Sequence, residues 1–259
     1  MKISIITICR NNPSEMVRTI NGYLSYLSSD IEAIIIDGSD NDSCIEAFRY
    51  LNTPLKHINF FKQTSKGLYA AMNEGIAKAK GDSLIFMNSG DTFSSSFDLF
   101  CFLEKYSFLL KSHIIFGNAK LYYKDYYKYH KWDRIEPIGK KWRPSHQAIF
   151  MPRSFLSENK FSESLKVSAD TELQIKAFKY LKYIYIDETI CEFELGGISS
   201  YPKTLKMTIK HCNELISTRK IENYWPKFLI YIKQVIKLAV IKVIGYRNYL
   251  RIVKWIFKL

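Results

Sequence analysis

Over the first 90 residues, apolar and polar positions fall in blocks. Four short runs are apolar throughout or β-rich: "ISIITI" (3–8), "EAIIID" (32–37), "INFF" (58–61) and "SLIFMN" (83–88). Strands with no polar alternation are those buried on both faces. Between them lie stretches with helical spacing. The first, 13–27, carries Pro13 at a plausible first turn. The second, 42–51, has Asp42 or Ser43 as a cap. The third, 67–82, ends at Gly81. This alternation predicts parallel βαβ units with helices on both faces of the sheet.

Beyond Asp91 the pattern loosens. It predicts a helix over 97–110, a strand over 113–118, and strands near an opening in the Tyr- and Lys-rich 119–132. A further strand falls within 146–154, a helix over 168–181, and one or two short strands over 183–195, closed by "GGISS" (196–200) as a loop or turn. Everything from Tyr201 to Leu259 reads as helical. There is no internal repeat. The expected division is a catalytic α/β domain over 1–200 and a helical region over 201–259.

That last region differs in chemistry. From Pro226 to Leu259 there is no Asp or Glu. Lys233, Lys237, Arg247, Arg251, Lys254 and Lys258 fall on a similar side of a helical wheel, and apolar residues with Trp255 occupy much of the rest. Such a basic amphipathic helix fits an anionic membrane interface, at about 1 kcal/mol per well-placed cation. The competing expectation is a helix packed on the domain with its charges solvated. Gly245 should break or bend it.

The chain of 259 residues, 47% hydrophobic and 15% aromatic, can bury a real core, which excludes intrinsic disorder. A net charge of +13 points to a polyanionic partner: nucleic acid, an anionic membrane or phosphorylated substrates. No zinc, RRM or KH signature supports nucleic acid. The five cysteines are scattered without metal-like spacing, which fits a reducing compartment. The apolar part of the N-terminus is too short for a signal peptide, and no run is long enough for an ordinary transmembrane helix.

In an open α/β sheet, ligands bind beyond the carboxyl ends of the strands. Asp37 ends the second run in "IIIDGSDND", Asp91 lies in the turn "MNSGD" after the fourth, and Asp170 opens a later helix in "KVSADTEL". A single such Asp is usually a turn or cap residue. Three together suggest a site in which one carboxylate holds a divalent cation against a diphosphate and another acts as general base.

The segments "ISIITICRNN", "IIIDGSDNDS", "KGLYAAMNEGIAKAKGDSLIFMNSGD", "SHQAIFMPRSF", "FSESLKVSADTELQIKAF" and "GGIS" run in the order found in the inverting, GT-A-fold glycosyltransferases of family 2. The chain resembles especially those that build bacterial surface polysaccharides (O-antigen and capsule). The resemblance covers about residues 1–200, and the long middle block is its most specific part. It implies a GT-A, Rossmann-like, mostly parallel sheet flanked by helices. It also implies that Thr7 and Asp37 contact the nucleoside, that Lys66 and Gly67 lie beside the base and ribose, and that Asn73 and Gly75 sit on the helix under the donor. Asn88 to Asp91 stands in place of the family's DxD motif, so Asp91 would bind Mn²⁺ or Mg²⁺ and the diphosphate. Asp170 matches the base, and His146 and Gln147 match a pair near the acceptor or diphosphate. The sequence departs from the family in keeping only the last carboxylate of DxD, in Gly38 after Asp37, and in Ala70 where relatives often carry Asp.

The reaction so implied is a single displacement. Asp170 deprotonates an acceptor hydroxyl, the oxygen attacks the anomeric carbon of a nucleotide sugar, and a nucleoside diphosphate (UDP first among candidates) departs. The sugar would be a hexose or N-acetylhexosamine, and the acceptor a lipid-diphosphate-linked saccharide at the cytoplasmic face of the inner membrane. Glu172 is the rival base, and Trp132, Trp142 and the tyrosines of 122–129 are either an acceptor platform or core packing. A nucleotidyltransferase would want a Gly-rich loop where "CRNNPSE" stands; a dinucleotide oxidoreductase would want GxGxxG there. A non-catalytic membrane-surface module would explain the tail but not the three Asp positions.

Overall fold

A computed structural model describes residues 2–51, 56–134, 136–138, 142–195 and 204–257. The "GGISS" segment lies outside them, as does Lys258. The first half alternates as the apolar blocks predict: β1 (Ile3–Cys9), α1 (Pro13–Tyr23), β2 (Ile31–Asp37), α2 (Ser43–Arg49), β3 (Ile58–Lys62), α3 (Leu68–Lys78) and β4 (Ser83–Phe86). These four strands pair in parallel in the order β3-β2-β1-β4. Every residue of β1 and β2 is buried. The sheet continues through β8 (Ile149–Pro152), β6 (His113–Tyr123), β9 (Lys182–Glu194) and β5 (Thr92–Phe93), with β7 (Tyr126–His130) on β6. The strand β8 runs antiparallel to both neighbours, and β9 returns to parallel beside β6.

Burial on both faces follows from two apolar clusters. One packs Ile3, Ile5 and Cys9 of β1 against Met16, Ile20 and Tyr23 of α1 and the helix α4 (Leu99–Tyr106). The other packs Ile6 and Ile8 against α3, α5 (Arg153–Glu158) and α6 (Ala169–Tyr180). Each buried isoleucine contributes about 1.5–3 kcal/mol relative to exposure.

Several boundaries depart from expectation for local reasons. The third helix ends at Lys78, and Gly81 is no helix cap. A Cβ there would lie 2.5 Å from the Ser4 nitrogen, so Gly81 lets the chain pass hard against β1. Asp42 makes no side-chain cap; the Asn41 carboxamide oxygen accepts from the Ser43 N–H instead. The strand expected over 113–118 runs on to Tyr123 and turns at Lys124 (φ 53°) into β7, forming a hairpin. The short strands expected over 183–195 are one strand of 13 residues.

The C-terminal region forms α7 (Leu205–Thr218) and α8 (Tyr224–Phe257), the latter broken at Gly245 (φ 79°, ψ 156°). Leu238, Ile241, Tyr246 and Leu250 are buried, and the last three join the core cluster that holds α1. Of the basic stripe, Lys233, Arg247 and Arg251 are exposed and Lys237 is half-buried. Arg247 and Arg251 both pair with Asp125 in the β6–β7 turn. Large apolar side chains are left to solvent on the same helix, Leu229, Ile236 and Val243 among them, beside the exposed Lys233 and Lys242. Among the described residues no helix is long and apolar enough to cross a membrane.

Candidate active site

The carboxyl ends of β1, β2 and β4 point to one side of the sheet, and the chain beyond β4 turns sharply there. The Asp91 N–H closes the turn onto the Asn88 carbonyl at 2.8 Å, with Gly90 at φ 99°. Only glycine adopts that conformation without cost. The turn directs Asp91 into a cavity of about 660 Å³. The same cavity is lined by Asp170, placed by the first turn of α6, and by Tyr69 from the first turn of α3. Between them stand His146 and Gln147, from a 3-10 turn just before β8.

Asp91 is 8% exposed. Its Oδ2 accepts from the Asn88 N–H at 3.1 Å and from Gln147 Nε2 at 3.2 Å. Burial raises its carboxyl to about 7, against the opposing pull of Gln147, the Asn88 amide and Arg18. Among the described residues nothing donates to Oδ1, and the buried Oδ1 of Asn88 also has no partner. These two oxygens are what a hard divalent cation takes from a protein when a diphosphate and water complete its shell. The residues therefore fit a Mn²⁺ or Mg²⁺ ion, with Asp91 as the one charged ligand.

Asp170 accepts from the Tyr69 hydroxyl at 3.2 Å through Oδ1, and its Oδ2 lies 3.9 Å from His146 Nδ1. Burial, then Asp170, raises the Tyr69 hydroxyl, which keeps it a donor. Burial lowers His146, with Asp170 pulling the other way. His146 Nε2 lies 3.1 Å from Asn88 Nδ2, so the histidine stands between the Asn88–Asp91 turn and Asp170. The segment leading into α6 is held by Glu214 of α7. Glu172, the rival base, is exposed and lines none of these walls. Of the two carboxylates, Asp170 is the one that lines the cavity.

The structure brings together Asn88, Asp91, His146, Gln147 and Asp170. It does not bring Thr7, Asp37, Lys66 or Gly67 into the cavity wall. Thr7 is buried on the α1 side, sharing a 3.1 Å hydrogen bond with the Tyr23 hydroxyl. Asp37 is fully buried and accepts from the Ser39 N–H at 2.9 Å and from Lys62 Nζ at 3.0 Å. Burial raises it, but the bonds from Ser39 and Lys62 prevail and hold it below the ordinary carboxylate range. Lys66 and Gly67 are exposed beside the start of α3. Asn73 packs beneath, bonding to both the carbonyl and the N–H of Phe161. Trp132 packs edge-on against Tyr185 and tilted against Phe116, as the packing alternative expects.

Sequence reasoning missed Arg18, Tyr69 and Lys166, all on the cavity wall. Arg18 donates to the Gly90 carbonyl and so braces the metal turn from α1. Nothing in the local pattern marked it, because it sits on the polar side of an ordinary amphipathic helix.

Comparison with known proteins bears on the fold and the family. The sequence profile of Glycosyl transferase family 2 matches residues 4–164. The uncharacterized glycosyltransferase Rv1514c of Mycobacterium tuberculosis is 28% identical over 214 residues, covering 77% of each chain. Among solved structures, S. aureus TarS 1–349 in complex with UDP-GlcNAc is similar in fold, with a TM-score of 0.58 and 14% identity over 91% of this chain and 72% of that one. The mannosyltransferase PcManGT from Pyrobaculum calidifontis, in complex with GDP-Man and Mn²⁺, gives a TM-score of 0.61 at 12% identity over 97% of this chain and 78% of that one. The sheet order, the strand-end carboxylates and the profile over the catalytic half agree: the chain is a glycosyltransferase and belongs to glycosyl transferase family 2.

Proposed function

We propose that the protein is an inverting transferase. It moves a hexose or N-acetylhexosamine from a nucleotide sugar, UDP-linked by preference, to a lipid-diphosphate-linked saccharide of a bacterial surface polysaccharide. The observation that carries this reading is that Asp91 and Asp170 line one cavity, linked by Gln147 against the first and His146 against the second. Asp91 and Asn88 would hold a divalent cation, and that ion would supply charge stabilisation to the departing diphosphate. Arg18 supplies a further cation at the same turn. Asp170 receives the proton of the attacking hydroxyl, and the Tyr69 bond fixes the carboxylate towards the cavity. A base on one side and a leaving group on the other give displacement with inversion.

The exposed apolar face of α8 supports attachment to the cytoplasmic face of the inner membrane. Because Ile241, Tyr246 and Leu250 are core residues, removal of α8 would disrupt packing. Point changes on the outer face are the better probe.

The deciding experiment is a donor screen with UDP-, GDP- and dTDP-sugars in Mn²⁺ or EDTA. It follows nucleoside diphosphate release with and without lipid-diphosphate sugar acceptors. Metal-dependent release from one donor, lost in Asp91→Ala and Asp170→Asn, is the expected result. Silence with every donor, together with no nucleotide binding by calorimetry, overturns the reading in favour of a non-catalytic membrane-surface module.

A further inference from the structure

Cys9 ends β1 and Asp37 ends β2, and the parallel register sets the two opposite each other. Partners in register send their side chains to the same face of a sheet. Cys44, in the first turn of α2, reaches the same point. The Cys9 thiol faces Asp37 Oδ1 at 3.6 Å. The two sulphurs and an Asp37 oxygen lie within 4.8 Å of one another, and all three residues are buried. Twenty-eight residues separate Cys9 from Asp37, so sheet register, not a local motif, builds the cluster.

These spacings match the edges of a tetrahedral metal site. With metal–sulphur bonds of about 2.3 Å and metal–oxygen bonds of about 2.0–2.2 Å, sulphur–sulphur edges come to about 3.8 Å and sulphur–oxygen edges to about 3.5 Å. Ser39 offers a fourth ligand atom. It is buried, and its hydroxyl donates to Cys44 Sγ at 3.3 Å. The carboxylate is already oriented from behind: Lys62 Nζ donates to Oδ2 at 3.0 Å and the Ser39 N–H to Oδ1 at 2.9 Å. Outer bonds of this kind fix a ligating carboxylate.

The charge closes as well. Two thiolates and one carboxylate bring three negative charges. A divalent ion and the Lys62 ammonium, paired with Asp37, bring three positive ones. A buried shell that is neutral as a whole avoids the penalty of an uncompensated charge. Ligand softness separates this cluster from the Asp91 turn: thiolates select Zn²⁺, whereas Mn²⁺ and Mg²⁺ take oxygen ligands.

We propose that Cys9, Asp37 and Cys44 form a structural Zn²⁺ site, with Ser39 at the fourth corner. The ion would join the ends of β1 and β2 to the start of α2. It would tie down the loops 10–12 and 38–42, which leave the sheet on the side where the catalytic cavity opens. The site does not depend on the transfer reaction proposed above.

The test takes the whole chain, strips it with a chelator under reducing conditions, and titrates it with Co²⁺ as a visible stand-in for Zn²⁺. Wild type should develop a thiolate-to-cobalt charge-transfer band that ends at one ion per chain. Zn²⁺ should bleach the band, and excess Mn²⁺ should leave it unchanged. Cys44→Ala should lose it, and Asp37→Asn should bind at least tenfold more weakly. Asp91→Asn should match wild type, as should Cys101→Ser at an exposed position. No band in wild type, a band retained in folded Cys44→Ala, or a band lost in Cys101→Ser overturns the proposal. If Cys44→Ala does not fold, X-ray absorption on wild type loaded with one equivalent of Zn²⁺ decides. Two sulphur and two oxygen neighbours support the site; a shell of nitrogen and oxygen alone overturns it.

Discussion

Glu214 accepts the backbone N–H of Val167 at 2.8 Å, three residues before Asp170. The same carboxylate accepts the Lys166 N–H at 3.0 Å and the Ser168 hydroxyl at 3.3 Å. A residue of the C-terminal helices thus fixes the loop that aims the base. Glutamine can accept but also brings an N–H₂ group that faces donors. Glu214→Gln should lower kcat about tenfold or more, leave the donor Kd unchanged, and cost about 1–3 kcal/mol of stability. Single-turnover kinetics and denaturant unfolding check both parts. A merely structural role would change stability without the kcat effect.

Replacing Asp170, the proposed base, should be severe. General-base assistance is worth about 10²- to 10⁴-fold, so Asp170→Asn should reduce turnover by that range while nucleoside diphosphate still binds. Tyr69→Phe keeps the stacking on Phe161, with ring centroids 5.6 Å apart, and removes only the hydroxyl. It should cost roughly tenfold in kcat. Equal losses in the two variants would show that Tyr69 does more than orient the carboxylate.

Asp91 makes metal loading depend on pH. Its carboxyl is raised from 3.8 to about 7. The proton competes with the cation, so Mn²⁺ affinity in the presence of nucleoside diphosphate should climb about tenfold per pH unit below 7 and level off above it. The stability sign is the reverse. A carboxyl whose folded value is raised costs stability as pH rises from about 4 through 7, on the order of 4 kcal/mol at the plateau. In EDTA, Asp91→Asn should therefore melt higher than wild type at pH 8 and much closer to it at pH 4. Scanning calorimetry at the two pH values decides.

The surface of α8 gives a prediction that separates two kinds of residue. Leu229→Glu and Ile236→Glu place charge on the exposed apolar face and should reduce sedimentation with anionic liposomes at least tenfold. Arg247→Gln should have a smaller effect, because Asp125 already occupies that guanidinium. If the arginine change is the larger one, attachment is through charge on the side that faces Asp125.

Gly81→Ala tests the close approach to β1. The new methyl would meet the Ser4 nitrogen at 2.5 Å and the Ile3 carbonyl carbon at 2.6 Å. Backbone yields less readily than a side chain, so a loss of about 1–3 kcal/mol is expected in urea titrations. A helix-cap glycine would lose less.

The parallel half of the fold was legible because fully buried strands leave an unmistakable apolar run and the helices between them keep their period. Asp91 and Asp170 were legible for a related reason: strand ends and helix starts are marked locally, and ligands collect there. Arg18 and Tyr69 were not. Their roles come from contacts across 72 residues to Gly90 and across 101 residues to Asp170. Long-range neighbours leave no spacing to read. In the tail the helical period was legible, but the ion pairs of Arg247 and Arg251 with Asp125, more than 120 residues earlier, were not.

His146 and Gln147 are adjacent on one short turn. One lies 3.9 Å from the base, and the other donates to Asp91 at 3.2 Å. Whatever settles against Asp91 therefore meets a group that also lines a neighbouring cavity of about 370 Å³. Binding equilibria linked through a shared element are reciprocal. Occupancy of either cavity should change affinity in the other by the same factor, and equilibrium titrations run in both orders would return a single coupling constant.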